Sequence, residues 1–98
     1  MDIIKVSAQS RTSMVAGAIA GTIRHHHYAE VQAVGAGAVN QALKAITIAI
    51  IYLHEDGISV SFVPEFVEVT IEEKIRTAIR MVIKPKDEVP SEPMSNLN

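Results

Sequence analysis

The strongest constraint on the fold is the order in which two hydrophobic periodicities follow one another along the chain. Two segments with helical spacing each follow a short run of strand-forming residues, and two further strand patterns then come in direct succession. These segments are, in order, strand 3–7, helix 14–27, strand 29–35, helix 37–53, a strand pattern over 58–63 that resumes over 66–71 after Pro64, and strand 75–84. The sequence therefore predicts the order β-α-β-α-β-β, closed by a hairpin whose turn contains Glu72 and Glu73.

This order also predicts how the elements are layered. Because connections between parallel strands are right-handed, both helices should lie on the same face of the sheet. The expected fold class is an α/β (α+β) two-layer sandwich with a mixed four-stranded sheet. Ninety-eight residues allow one small domain, which we assign to residues 1–86. Residues 87–98 contain three acids and no basic residue, and we expect a disordered acidic tail there.

Polar residues and turn formers mark the expected ends of these elements. Ser10, Thr12 or Ser13 is suited to cap the first helix with a side-chain oxygen. Gly57 is suited to end the second helix in a left-handed conformation. Pro64 cannot donate a backbone hydrogen bond, so it indicates an edge strand, a bulge or a break.

The second helix is apolar over most of its circumference. Its main stripe is expected to consist of Val39, Ala42, Leu43, Ile46, Ala49, Ile50 and Leu53. Ile48, Ile51 and Tyr52 lie outside that stripe, and a helix buried on several sides in so small a chain needs a partner. We therefore predict a homodimer or a higher homo-oligomer that uses these three residues. The polar residues within the segment argue against a membrane span.

The segment Gly35-Ala36-Gly37 lies between a predicted strand and a predicted helix, where many phosphate-binding loops begin. The dinucleotide pattern requires a third glycine, but Asn40 occupies that position. Only Glu55 and Asp56, at a helix end, stand near the place of the ribose-binding acid. We therefore interpret Gly35 and Gly37 as a structural turn where backbone, preferably that of a partner subunit, comes close.

Side chains for catalysis or metal binding are scarce. The chain has no cysteine, and His25, His26 and His27 point about 100° apart on a helix, so they cannot converge on one ion. Their position near a helix C-terminus is explained by the helix dipole. The serines lack a nucleophile-elbow context. These observations predict a protein without enzymatic activity, cofactor or metal, and the absence of signal-peptide features at the start predicts a cytoplasmic location.

The distribution of charge limits the kinds of partner. The net charge is −2, and the acidic tail accounts for −3, so residues 1–86 have a net charge of +1. Such a domain lacks the strong positive charge of a tight DNA binder. Arg76 and Arg80 nevertheless share one strand face, and Lys84 continues the row. This row is suited to phosphate groups, unless it is a solvated face offset by Glu68 and Glu72.

Three long segments closely resemble one protein family. KVSAQSRTSMVAGAIAG (5–21), AEVQAVGAGAVNQALKAITIA (29–49) and RTAIRMVI (76–83) are similar to stage V sporulation protein S, a small bacterial family. The resemblance extends over about residues 2–86. That family in turn resembles the Alba-like group, whose β-α-β-α-β-β fold agrees with the order above.

The resemblance implies a dimer that binds DNA or RNA through its first loop, the turn into its second helix and its hairpin arm. The matching positions are Arg11, Asn40, Gln41, Lys44, Arg76 and Arg80, and Lys84, which continues the row of Arg76 and Arg80, is the further candidate. Three features depart from that pattern: the turn at 35–37 is uncharged, the hairpin turn is acidic, and Ile50-Ile51 stands where a basic residue is expected. The sequence thus predicts a regulatory protein with weak affinity for nucleic acid. The alternative is a protein–protein assembly module that uses the apolar second helix without binding nucleic acid.

Overall fold

The computed structural model describes residues 3–86 and confirms the predicted order of elements. The elements are β1 (Ile4–Val6), α1 (Thr12–His26), β2 (Ala29–Ala33), α2 (Ala36–Glu55), β3 (Val60–Ile71) and β4 (Lys74–Pro85). The predicted tail at 87–98 lies outside the described residues.

The four strands form one mixed sheet in the order β1-β2-β4-β3. β1 and β2 are parallel, whereas β4 is antiparallel to both β2 and β3. β3 runs without a break through Pro64, which lies opposite Met81. Since β3 is an edge strand, its proline lies where a missing N–H is tolerated, as one of the sequence alternatives predicted.

The core lies between the two helices and one face of the sheet. In β2, Ala29, Val31 and Ala33 are buried beneath the helices, while Glu30 and Gln32 between them are partly exposed. The largest fully buried side chains are aliphatic or sulfur-containing: Ile19, Ile23, Ile46, Leu53, Met81, Ile83 and Val31. Both helices contact β1 and β2, which confirms the two-layer arrangement with both helices on one face.

The ends of the helices agree only partly with the sequence expectations. No side chain caps α1, whose N-cap residue is Arg11. The hydroxyl of Ser10 instead accepts a hydrogen bond from the backbone N–H of Ser7 at 2.9 Å, so it stabilises the preceding turn. At the end of α2, Gly57 has a φ of 77°, and the N–H of Ile58 bonds to the carbonyl of Leu53 at 2.9 Å. Gly57 therefore is the expected left-handed cap.

The buried stripe of α2 differs from the predicted one. It consists mainly of alanines: Ala38, Ala42, Ala45, Ile46, Ala49 and Leu53. Leu43 and Ile50, expected in the core, are exposed. The turned-in alanines let α2 lie close to its neighbours, and this orientation turns the two larger side chains outward. α2 is long and apolar enough to cross a membrane. The polar residues within it are therefore only a weak argument against a membrane span. In this fold, however, the stripe packs on α1 and the sheet.

The hairpin extends well beyond the sheet. β4 pairs with β2 only from Ile79 to Ile83, but it pairs with β3 along its whole length. We call residues 66–78, which lie mostly beyond β2, the hairpin arm. The arm ends in a two-residue turn at Glu72 and Glu73, both with positive φ values of 51° and 66°.

Candidate nucleic-acid interface

A row of cations lies on the face of the sheet that no helix covers. Met81 and Ile83 of β4 are buried against the helices, so alternation places Arg80 and Lys84 on the opposite face. Arg76 continues this row along the arm. The same alternation and the strand register add two further cations, Lys74 and Lys5. We call Lys5, Lys74, Arg76, Arg80 and Lys84 together the basic face.

Sequence reasoning missed two of these five residues for different reasons. Lys74 shares its parity with Arg76, so extending the predicted strand by one residue would have found it. Lys5 joins the face only because β1 pairs with β2 and β2 with β4. The register places Lys5 beside Gln32, and Gln32 beside Arg80. That pairing is not evident from the chain itself.

The cations of the basic face form no ion pair within 4.0 Å with acids among the described residues. Among residues 3–86 the only ion pair within 4.0 Å joins Arg24 and Asp56, at 2.6 Å, at the far ends of the two helices. Glu65 lies opposite Arg80 in the register, but the two do not form such a pair. The guanidinium of Arg80 donates one long bond, 3.5 Å, to the side-chain oxygen of Gln32. Its buried Nε has no partner among the described residues.

The other acid on this face, Glu30, is engaged by a tyrosine. The Tyr28 hydroxyl donates a hydrogen bond to the Glu30 carboxylate. This bond is the main cause that raises the pKa of Tyr28 above its ordinary value, and partial burial and the charges of Glu30 and Glu65 add to it. The positive charge of Arg80 acts in the opposite direction. Glu30 therefore already accepts a hydrogen bond from a residue that immediately precedes β2.

The remaining predicted binding residues belong to the helix layer. Arg11, Asn40 and Lys44 are exposed on or beside the helices. Gln41 is partly buried, and its side-chain amide donates a 2.8 Å hydrogen bond to the carbonyl of Ser10. The structure thus brings Arg76, Arg80 and Lys84 together but separates them from this second group. Gln41 holds the loop between β1 and α1 to α2, which is a structural role.

The turn into α2 closes against that same loop. Gly35 has φ 91° and ψ 158°, a conformation open essentially to glycine alone. A Cβ on Gly37 would lie 2.9 Å from the Cβ of Ala8. The close neighbour of this turn among the described residues is therefore the first loop of the same chain, where the sequence favoured a partner subunit.

An open cleft separates the first loop from the hairpin arm. Its volume is about 740 Å³, and its walls include Ser7 and Gln9 of the loop, Lys5 of the basic face, and Val69 and Thr70 of the arm. The arm therefore curves toward the first loop. One end of the basic face opens into this cleft through Lys5.

The histidines form no metal site within the described part of the chain, where no group of three or more His, Cys, Asp or Glu side chains could hold an ion. His25, His26 and His27 are all exposed at the C-terminal end of α1. The rings of His25 and His26 are 6.4 Å apart and inclined by 57°. His25 and His26 belong to α1, whereas His27 follows it as the C-cap residue with a φ of 58°.

The exposed apolar side chains among residues 3–86 include two groups on different elements. The first is on α2, where Ile51 is 59% exposed and Tyr52 is 37% exposed, while Ile48 packs partly against the core of its own chain. The second is on the helix-facing side of the arm, where Phe66 and Ile75 are 78% and 71% exposed. Phe66 lies opposite Ile79, and Ile75 lies four residues from Ile79 on the same face. Sequence reasoning missed this second surface because it depends on how far the arm projects.

The element order, the mixed sheet and the projecting hairpin define an Alba-like fold of two layers. A solved structure of Alba from Thermoplasma volcanium matches this fold with a TM-score of 0.59, over 85% of this chain and 99% of that one. The two sequences are 13% identical, so this likeness concerns the fold alone.

The chain belongs to the stage V sporulation protein S (SpoVS) family, whose model matches residues 2–86. The resemblance noted in the sequence is thereby confirmed. Family and fold together support a small regulatory protein.

Proposed function

We propose that this chain is a non-enzymatic, cytoplasmic bacterial regulatory protein that binds DNA or RNA weakly, as a homodimer, through its basic face. The observation that carries the proposal is the helix-free sheet face, whose five cations form no ion pair of 4.0 Å or less with any acid among the described residues. Arginine pairs readily with phosphate oxygens, and two of these cations are arginines. The face is also long, because β4 extends into the arm.

The expected affinity is low and depends on salt. The described residues contain nine basic and seven acidic side chains, so the surrounding field is only slightly positive. Each phosphate that a cation neutralises contributes a slope of about −0.9 to the dependence of log affinity on log salt for duplex DNA. Three or four contacts along the basic face would therefore give a slope of about −3.

A salt titration with matched variants tests this assignment. Arg76→Gln combined with Arg80→Gln should reduce the magnitude of the slope by about two for duplex DNA. Arg11→Gln combined with Lys44→Gln removes the same charge from the helix layer and should leave the slope nearly unchanged. If the second pair has the larger effect, binding occurs at the helix layer. If no binding to DNA or RNA is detected at low salt, the proposal fails.

A second candidate function rests on the outer surface of α2. Leu43, Ile50 and Ile51 lie on the half of this helix that points away from its buried stripe, and all three are exposed. Such a surface suits a protein–protein assembly module that does not need nucleic acid. This alternative would be favoured if cells with the Arg76→Gln, Arg80→Gln variant behave like wild-type cells. Cells with Ile51→Glu should then behave like cells that lack the protein.

A further inference from the structure

The cleft between the first loop and the hairpin arm opens on the helix-free face of the sheet. Val69 lines the cleft from the arm, and it lies opposite Arg76 in the register, so the two side chains share one face. Lys5 and Gln32, which are neighbours in the register, line the cleft from β1 and β2. The cleft is therefore a recess in the basic face itself.

The helix-free face is curved where the arm leaves the sheet. Ala78 lies opposite Val67 and alternates with residues that face the helices, so its side chain points away from them. Ala78 is nevertheless only 1% exposed, and it does not belong to the core cluster beneath the helices. Neighbouring side chains therefore close over it on the helix-free side. The volume of the cleft, about 740 Å³, is within the range of roughly 300–1,000 Å³ that is typical of ligand sites.

The lining of the cleft is mainly aliphatic and has a positive charge. Its larger aliphatic residues are Ile3, Val6, Val34, Val69 and Ile71. The described residues that line it include the cation Lys5 and no acid. Glu65, the acid opposite Arg80 on the same face, is not part of the lining. The cleft thus suits a ligand that combines an apolar surface with negative charge.

Two amide side chains in the lining can form further hydrogen bonds. The side-chain oxygen of Gln32 accepts the long bond of 3.5 Å from Arg80, and no described residue accepts a bond from its NH₂ group. Gln9 is exposed in the first loop, and its side chain has no hydrogen-bond partner among the described residues. Amides donate and accept at once, as the edges of unpaired bases require. A purely aliphatic anion would leave both amides without partners.

We infer that this cleft binds one unpaired nucleotide, with the base between its aliphatic walls and the phosphates on Lys5 and Arg76. A base in a duplex is stacked on its neighbours and paired along its edge, so it has to leave the double helix before it can enter. The chain therefore prefers single-stranded nucleic acid to a duplex. A free nucleotide has the same base and phosphate chemistry. Binding of a strand rests on the proposed function, whereas the fit of the cleft to a nucleotide does not.

The test uses the full chain and three kinds of probe: short single-stranded DNA and RNA of one mixed sequence, the duplex of each, and the four nucleoside monophosphates. The readout is the NMR shift of the methyl groups of Val34 and Val69 in the cleft. Val63, on the same face but outside the cleft, is the reference. Single strands should shift the two cleft residues and not Val63. Duplexes should shift the signals of Arg76 and Arg80 but not those of the cleft.

Two matched variants test the same point by affinity. Val69→Glu and Val63→Glu add the same charge to the same face of β3, but only the first adds it inside the cleft. Val69→Glu should weaken single-strand binding about tenfold more than Val63→Glu, because contacts to the base are lost. The two variants should weaken duplex binding equally, which also shows that the arm is folded. Gln9→Ala, in the exposed loop, should weaken only single-strand binding.

The possible outcomes separate this inference from the proposed function. If single strands shift Arg76 and Arg80 but leave the cleft methyl groups unchanged, the inference is wrong and the proposed function stands. If duplexes shift the cleft methyl groups as much as single strands do, the preference for an unpaired nucleotide is refuted. If the nucleoside monophosphates shift those groups while no strand or duplex binds, the cleft is a nucleotide site and the proposed function fails. If no probe shifts any signal, both are overturned.

Discussion

At the scale of single residues, Gly35 is the position whose chemistry the fold most clearly requires. Its φ of 91° and ψ of 158° are strained for any residue with a Cβ, although a Cβ there would meet no heavy atom within 4 Å. Gly35→Ala should therefore lower the free energy of unfolding by about 1–3 kcal/mol through backbone strain alone.

Urea denaturation measures this loss, and Gly17→Ala is the matched control. Gly17 is exposed within α1, and an added Cβ there also meets no atom within 4 Å. That substitution should instead stabilise the protein by up to about 1 kcal/mol, because alanine favours helix. Equal effects at the two positions would show that the strain at Gly35 is unimportant.

The pKa of Tyr28 is a property of a single residue that a pH titration can measure. The hydrogen bond to Glu30 holds the pKa of the Tyr28 phenol above its ordinary value of 10.0, since it favours the protonated form. A pKa raised by folding means that this contribution to stability is present below pH 10 and is lost as pH rises through the raised pKa. Ultraviolet titration in a Tyr52→Phe background should show the raised value, and Glu30→Gln should lower it toward 10. An unchanged titration in the Glu30→Gln chain would contradict this cause.

At the scale of elements, the sequence was sufficient for the order of strands and helices but not for their faces. The order was predictable because the segments with helical and with strand periodicity are long and the two periodicities are easy to distinguish. The inner face of α2 was partly mistaken because its stripe is made of alanines, which a hydrophobic pattern weighs less than Leu43 and Ile50. The unbroken β3 depends on Pro64 lying in an edge strand, and Lys5 joins the basic face only through strand register. Both are tertiary facts.

Two substitutions in the turn of the hairpin arm should make the protein more stable. Glu72 and Glu73 both have positive φ in a two-residue turn, a conformation for which Asn-Gly is strongly preferred. Glu72→Asn combined with Glu73→Gly should stabilise the protein by about 1 kcal/mol or more, since left-handed geometry costs an ordinary residue about 1–2 kcal/mol. Thermal unfolding measures the gain. Glu72→Gln combined with Glu73→Gln is the control, and an equal gain there would indicate relief of charge repulsion instead.

At the scale of the whole molecule, the two layers divide their surfaces between different kinds of contact. The helices cover one face of the sheet, and the opposite face has the five cations together with exposed apolar side chains such as Val63 and Ile71. The arm projects beyond that cover, which leaves Phe66 and Ile75 on its helix-facing side without a core beneath them. The basic face and the surface of Phe66 and Ile75 therefore lie on opposite sides of the same hairpin. This arrangement would let a dimer form without covering the basic face.

The exposed apolar side of the arm is the surface on which we expect the homodimer to form, in preference to the α2 surface of Ile51 and Tyr52. Phe66 is more exposed than Ile51, and burying a side chain of this size contributes about 1.5–3 kcal/mol.

Phe66→Glu should thus convert the dimer to a monomer at micromolar concentration in sedimentation equilibrium, with little change in the far-ultraviolet circular dichroism. Ile51→Glu, which places the same charge on the other apolar surface, should leave the dimer intact. The reverse result would assign the interface to α2, and a wild-type chain that is monomeric throughout would exclude both surfaces.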